Sequence, residues 1–119
     1  MSAQHTPPEG PLIAMPALTP TALRRAVSQI IPADLPRFNE HLAEAAENAA
    51  AQSSIAPLRT FLLYWGMTIA IQRHPARAAR LREMEDAAQS APTFDAARPA
   101  LAEIRAIMDT AEREVNTTR

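Results

Sequence analysis

Apolar residues in this chain fall at intervals of three and four over most of its length, the spacing that gathers them on one side of an α-helix. Thr19 offers a capping side chain, and Pro20 stands where a first helical residue needs no N–H. Leu23, Val27, Ile30 and Ile31 then line one face as far as Pro32. A second helix is predicted from a cap at Asp34, with Leu35, Phe38, Leu42, Ala45 and Ala49 inward and Glu40, Glu44 and Glu47 in water. Ser53 and Ser54 break the pattern, and Pro57 fits only a first helical turn.

A third helix is therefore expected over residues 55–73, and it is apolar nearly all round: Leu58, Phe61, Leu62, Leu63, Tyr64, Trp65, Met67, Ile69 and Ile71. Such a helix is expected to be enclosed by its neighbours, which makes it the hub. His74 and Pro75 end it and open a fourth helix to about residue 89, with Leu81, Met84 and Ala88 inward. After a loop at 90–93 the last helix carries Ala97, Leu101, Ile104, Met108, Ala111 and Val115 in a heptad-like seam. Pro99 either begins its regular part or kinks it, with Asp95 capping the turn before.

Strand and hairpin signals are missing, so the fold class expected is all-α, a small bundle of four to five helices. Pro7, Pro8, Pro11, Pro16 and Gly10 bar a helix near the start. Residues 1–18 are expected to be a disordered proline-rich tail, although Leu12, Ile13, Met15 and Leu18 are apolar enough to dock. The expected organisation is that tail, a single helical domain over 19–116, and a frayed end at 117–119. Gly66 inside the hub helix costs about 1 kcal/mol against Ala, so a close approach of another helix is expected there.

Composition narrows the chemistry. All twelve basic residues are Arg, which excludes Schiff-base lysines and phosphate-loop lysines, and a net charge of −1 gives no global attraction to nucleic acid or anionic lipid. With no cysteine there is no disulfide framework or thiolate site, which fits a reducing, cytoplasmic setting. The first ten residues lack the basic and apolar blocks of a secretory signal, and the longest apolar run, 61–71, is shorter than the roughly 20 residues that cross a bilayer.

No acidic residue precedes a histidine by three, and His5, His41 and His74 are too far apart in sequence for a helical metal pair, so no metal or cofactor is expected. Serine or threonine in a glycine-flanked elbow is also missing, and the expectation is a non-enzymatic protein. Two candidate recognition surfaces remain. One is the basic segment with Arg73, His74, Arg77, Arg80 and Arg82, which offers itself to phosphate or an acidic partner unless Glu83, Glu85 and Asp86 neutralise it. The other is the seam at Leu101, Ile104 and Met108, which either closes the bundle or meets a partner helix or second copy.

The segments LTPTALRRAV, DLPRFNEHLAEA, SIAPLRTFLLYWG and RHPARAARLREME occur in that order over residues 18–86. In this the chain resembles an uncharacterised family of short Ala- and Arg-rich helical proteins from actinobacteria, through Thr19–Pro20, Ala56 to Leu58 with Trp65, and Pro75 to Arg82. Some members sit beside small toxin-like proteins, so the resemblance implies an antitoxin-like partner and carries over no site residue. The function expected is regulatory docking on another protein or a second copy. The alternative is a nucleic-acid-associated regulator using Arg73 to Arg82.

Overall fold

A computed structural model describes residues 10–118, and among these the chain forms five α-helices, one short 3-10 turn and no strand. Helix α1 (Pro20–Ile30) starts where Thr19 Oγ1 accepts the Ala22 N–H and Pro20 fills the first turn. Pro32 ends it in the 3-10 turn Pro32–Asp34, which leads into α2 (Leu35–Gln52). Asp34 occupies the cap position of α2, but its side chain caps nothing and turns towards Arg37 instead.

The expected break at Ser53 and Ser54 is present. Ser53 adopts the left-handed conformation, φ 51°, that closes many helices, while Ser54 Oγ accepts the Ala56 N–H at the start of α3 (Ala56–Gln72). His74 and Pro75 separate α3 from α4 (Pro75–Ser90), as the sequence predicts. Helix α5 (Phe94–Thr118) departs from expectation at both ends. Thr93, not Asp95, caps it, accepting the Ala96 N–H, so the helix begins ahead of Pro99 and contains it. At this depth Pro99 removes one backbone bond near the helix start, and Asp95 pairs with Arg98. The far end continues through Thr118, whose hydroxyl donates to Glu114 O, where fraying was expected.

The core lies between α1, α2 and α3. Leu23, Val27, Phe38, Phe61, Trp65 and Ile69 are fully buried there. Phe38 meets both Phe61 and Trp65 edge-on at 5.1 Å, an arrangement favoured by ring quadrupoles. The Trp65 indole N–H donates to His41 Nδ1 at 2.9 Å, and the Arg37 guanidinium lies 4.9 Å over the indole ring. His41 is half-buried and supplies the acceptor that lets an indole enter the core.

A second cluster, Ala70, Ile71, Ala78, Ala111 and Val115, joins α3 to α4 and α5. Here the extended segment 10–18 corrects the expected free tail. Leu12 N–H donates to Arg73 O at 2.7 Å, and Ile13, Met15 and Leu18 pack on the core. Residues 1–9, the rest of the expected tail, lie outside the described residues. Gly66 explains the fit: a Cβ there would come within 2.8 Å of Leu18 Cδ2 and 3.6 Å of Val115. The close neighbour is the docked segment first and a helix second.

Helix α4 packs on α5 and the end of α3 and touches neither α1 nor α2. Together α4 and the first half of α5 project from the body as a two-helix arm, within a molecule of 52 × 48 × 27 Å. Its thin dimension is about two helix diameters. Replacing His41 with Phe keeps a ring but strands the buried indole N–H of Trp65, and should cost about 1–3 kcal/mol in urea unfolding. An unchanged unfolding midpoint would contradict this role for His41.

Candidate functional site

The basic segment is built inward. At the end of α3, Arg73 is buried; its Nη2 reaches Glu114 Oε1 at 2.7 Å and its Nη1 reaches Ile13 O at 3.2 Å. One turn into α4, Arg77 grips the same carboxylate with both terminal nitrogens, at 3.0 and 2.7 Å, and also donates to Ala70 O. This fork is the strongest form of a charge-assisted bond. One carboxylate therefore ties together the N-terminal segment, α3, α4 and α5.

Hydrogen bonds from Arg77 and then Arg73 hold the Glu114 carboxyl at about 2, against a burial effect that would raise it. His74, alongside, is pushed below its ordinary value by burial and by the charges of Arg77 and Arg73. Within the clasp Arg73 Nε and His74 Nε2 are buried without a partner, which offsets part of the gain. Further along, Arg80 is bound on the outside by Glu103 of α5 and Glu83 of its own helix, which raises its pKa. Arg73, Arg77 and Arg80, read in sequence as an outward basic patch, are all consumed by carboxylates of this chain.

The seam residues separate into two sets. Ala97 is buried, Ala111 and Val115 are buried against the body and Ile104 is partly covered, whereas Leu101 and Met108 stand about 40% and 39% exposed. Phe94 continues that outward row at the same seven-residue step and is 70% exposed. Because α5 packs on both α4 and α3, the heptad positions do not all face one partner.

Met108 also borders a shallow apolar hollow of about 430 Å³ on the outside of α3, lined by Thr60, Leu63, Tyr64, Met67, Thr68 and Ile71. Here the hub helix departs from its expected enclosure. Trp65 is fully buried, but its neighbour Tyr64 is 43% exposed and Leu63 is exposed beside it. The Tyr64 hydroxyl accepts a bond of 2.9 Å from Arg37, which fixes the ring at the rim. Phe94, Leu101, Met108, Leu63 and Tyr64 are large apolar side chains left exposed on α5 and α3, and the last three meet at this hollow.

The sequence carried a signal for this strip. Thr60, Tyr64, Thr68 and Gln72 recur at every fourth residue and are the polar marks on an otherwise apolar helix. Thr60, Tyr64 and Thr68 line the hollow, with Tyr64 at its edge beside Arg37 and His41 of α2. Glu114 had its own signal, an acid between the inward Ala111 and Val115.

Among the described residues no group of three acids or histidines could hold a metal, and no helix is long and apolar enough to cross a membrane. Comparison with models of protein families, with curated proteins and with solved structures finds no match for this chain.

The pKa shifts set a pH dependence. Glu114 falls below its ordinary 4.5, so its contribution is present above about pH 4.5 and is lost as pH drops towards 2; His74, also lowered, opposes folding as pH falls below 6.5. Glu114→Gln should cost about 2–3 kcal/mol at neutral pH and flatten the acid limb of stability between those limits. Denaturant titrations from pH 7 to 2 check both, and an unaltered acid limb would remove Glu114 from the account.

Proposed function

We propose that this protein works by docking on another polypeptide through the open apolar strip of α3 and α5, with no chemistry of its own. The observation that carries the reading is the pair of adjacent residues Trp65 and Tyr64: one sealed in the core, the other standing with Leu63, Met67 and Met108 around a hollow that no part of the described chain fills. Exposed apolar side chains cost nothing to desolvate and gain about 25 cal/mol per Å² on burial, whereas Arg73, Arg77 and Arg80 are already bonded. The surface therefore favours an apolar helix or loop as its ligand. An antitoxin-like role is this docking with a toxin as partner, and it rests on the resemblance alone. The cytoplasmic setting likewise rests on composition.

The nucleic-acid reading draws support only from Arg24, Arg25, Arg59, Arg82, Arg105 and Arg113, which are exposed but scattered over different helices. A phosphate backbone is gripped by grouped cations, so this reading is the weaker one. Binding of the chain to duplex DNA or RNA across a salt series, weakened by Arg77→Ala with Arg80→Ala, would restore it.

The test of docking is a photo-reactive phenylalanine analogue placed at Leu63 in the full chain inside its native cell. One discrete adduct is expected from Leu63 and none from the same analogue at Glu47, which points into water from α2. No adduct from Leu63, or equal labelling from both, would overturn the proposal.

A further inference from the structure

The open strip has a form that suits one partner in particular. Phe94, Leu101 and Met108 stand at seven-residue steps on the outward side of α5, spanning about 21 Å. Between and beside them stand exposed charges of both signs: Asp95, Arg98 and Arg105 towards the start of the helix, Asp109, Glu112 and Arg113 towards its end. Arg98 shares the exposed Asp95, while Arg105, Asp109 and Glu112 make no hydrogen bond or ion pair with another described residue. Turned end for end, that order sets Arg98 against Glu112 and Asp95 against Arg113, so the face complements itself.

The rest of the molecule agrees with that arrangement. Along α3 from Arg59 to Arg73, the neighbouring α5 residues run from Thr118 back to Glu114, with Met108 beside Ile71 and Met67. The strip on α3 therefore lies level with the last turns of α5. Two antiparallel α5 helices with Leu101 of each facing Met108 of the other would carry each Phe94 to that level. The most exposed large side chain would then meet the hollow at Leu63, Tyr64 and Met67 of the other copy. In the same register Arg98 falls beside Glu112 of the second copy, and the two Arg105 side chains meet near the axis, where each has the Asp109 of the other copy about five residues away to answer its charge. The α4–α5 arm, which touches neither α1 nor α2, gains a further support.

We propose that the partner on this surface is a second copy of the chain, held as a two-fold dimer by antiparallel pairing of α5 with Phe94 of each copy seated on α3 of the other. This rests on the docking reading above and names its occupant. Sedimentation of the purified full chain should show a monomer–dimer equilibrium. Phe94→Ala should weaken it about tenfold or more, as expected for losing a buried aromatic anchor. Arg98→Glu should weaken the dimer, and adding Glu112→Arg should restore it.

The register is tested through the absence of native cysteine. A mixture of Leu101→Cys and Met108→Cys chains should oxidise to a disulfide-linked pair, because only facing positions bring the two Cα atoms within about 7 Å. Either variant alone should stay uncrosslinked, with helical circular dichroism unchanged. Linkage of Leu101→Cys to itself would overturn the antiparallel register, and a monomer at all concentrations would overturn the dimer. The Leu63 photo-adduct separates the two levels of the argument: a mass of twice the chain supports the second copy. A monomeric chain that yields an adduct of another mass removes the second copy and leaves docking standing. A monomer without an adduct removes both.

Discussion

The rotation of α3 about its own axis decides what this protein can present to its surroundings. A helix that is apolar on every side can be buried in any orientation, and hydrophobic free energy alone does not choose among them. Three specific contacts do. The Trp65 indole N–H reaches His41, Phe61 packs edge-on to Phe38, and the missing side chain at Gly66 admits Leu18 and Val115. The first two fix the side that faces α2 and the third the side that faces Leu18 and α5, and the side left over, from Thr60 to Ile71, is the open strip.

Charge is managed by the opposite device. Glu114 collects Arg73 and Arg77 into one clasp that joins the N-terminal segment to three helices, at the expense of a surface that could have gripped phosphate. Burying such a cluster is costly unless its hydrogen bonds are nearly all made, and the forked geometry of Arg77 makes most of them. The clasp also anchors the base of the α4–α5 arm, while Arg80 and Glu103 hold its two helices together further out. The two devices act jointly: Arg73 and Arg77 are turned in, while Leu63, Tyr64 and Met108 are left out.

Much of this was legible in the chain, and what was not has a physical reason. The punctuation was clear because it is local chemistry: Thr19 with Pro20, Pro32, Ser53 with Ser54 and His74 with Pro75 set helix ends through their own backbone and side-chain bonds. The docked segment 10–18 was not, because extended chain forms no internal bonds and its place depends on Arg73 and Gly66, more than forty residues away. The basic segment misled for the same reason, since the acids that neutralise it include Glu103 and Glu114 as well as neighbours on its own helix. For α5 the heptad was real but its direction was not readable: Ala111 and Val115 turn in, whereas Leu101 and Met108 turn out. Only the small polar repeat of Thr60, Tyr64, Thr68 and Gln72 marked the open side of α3.

The orientation of α3 is most directly tested by hydroxyl-radical footprinting of the dilute chain, read at two neighbouring aromatic residues. Tyr64 should oxidise at the rate of an exposed tyrosine while Trp65, intrinsically the more reactive ring, stays protected until the protein is unfolded. Oxidation of Trp65 in the folded chain at a rate equal to that of Tyr64 would mean that the helix is turned otherwise, and the strip described here would not exist.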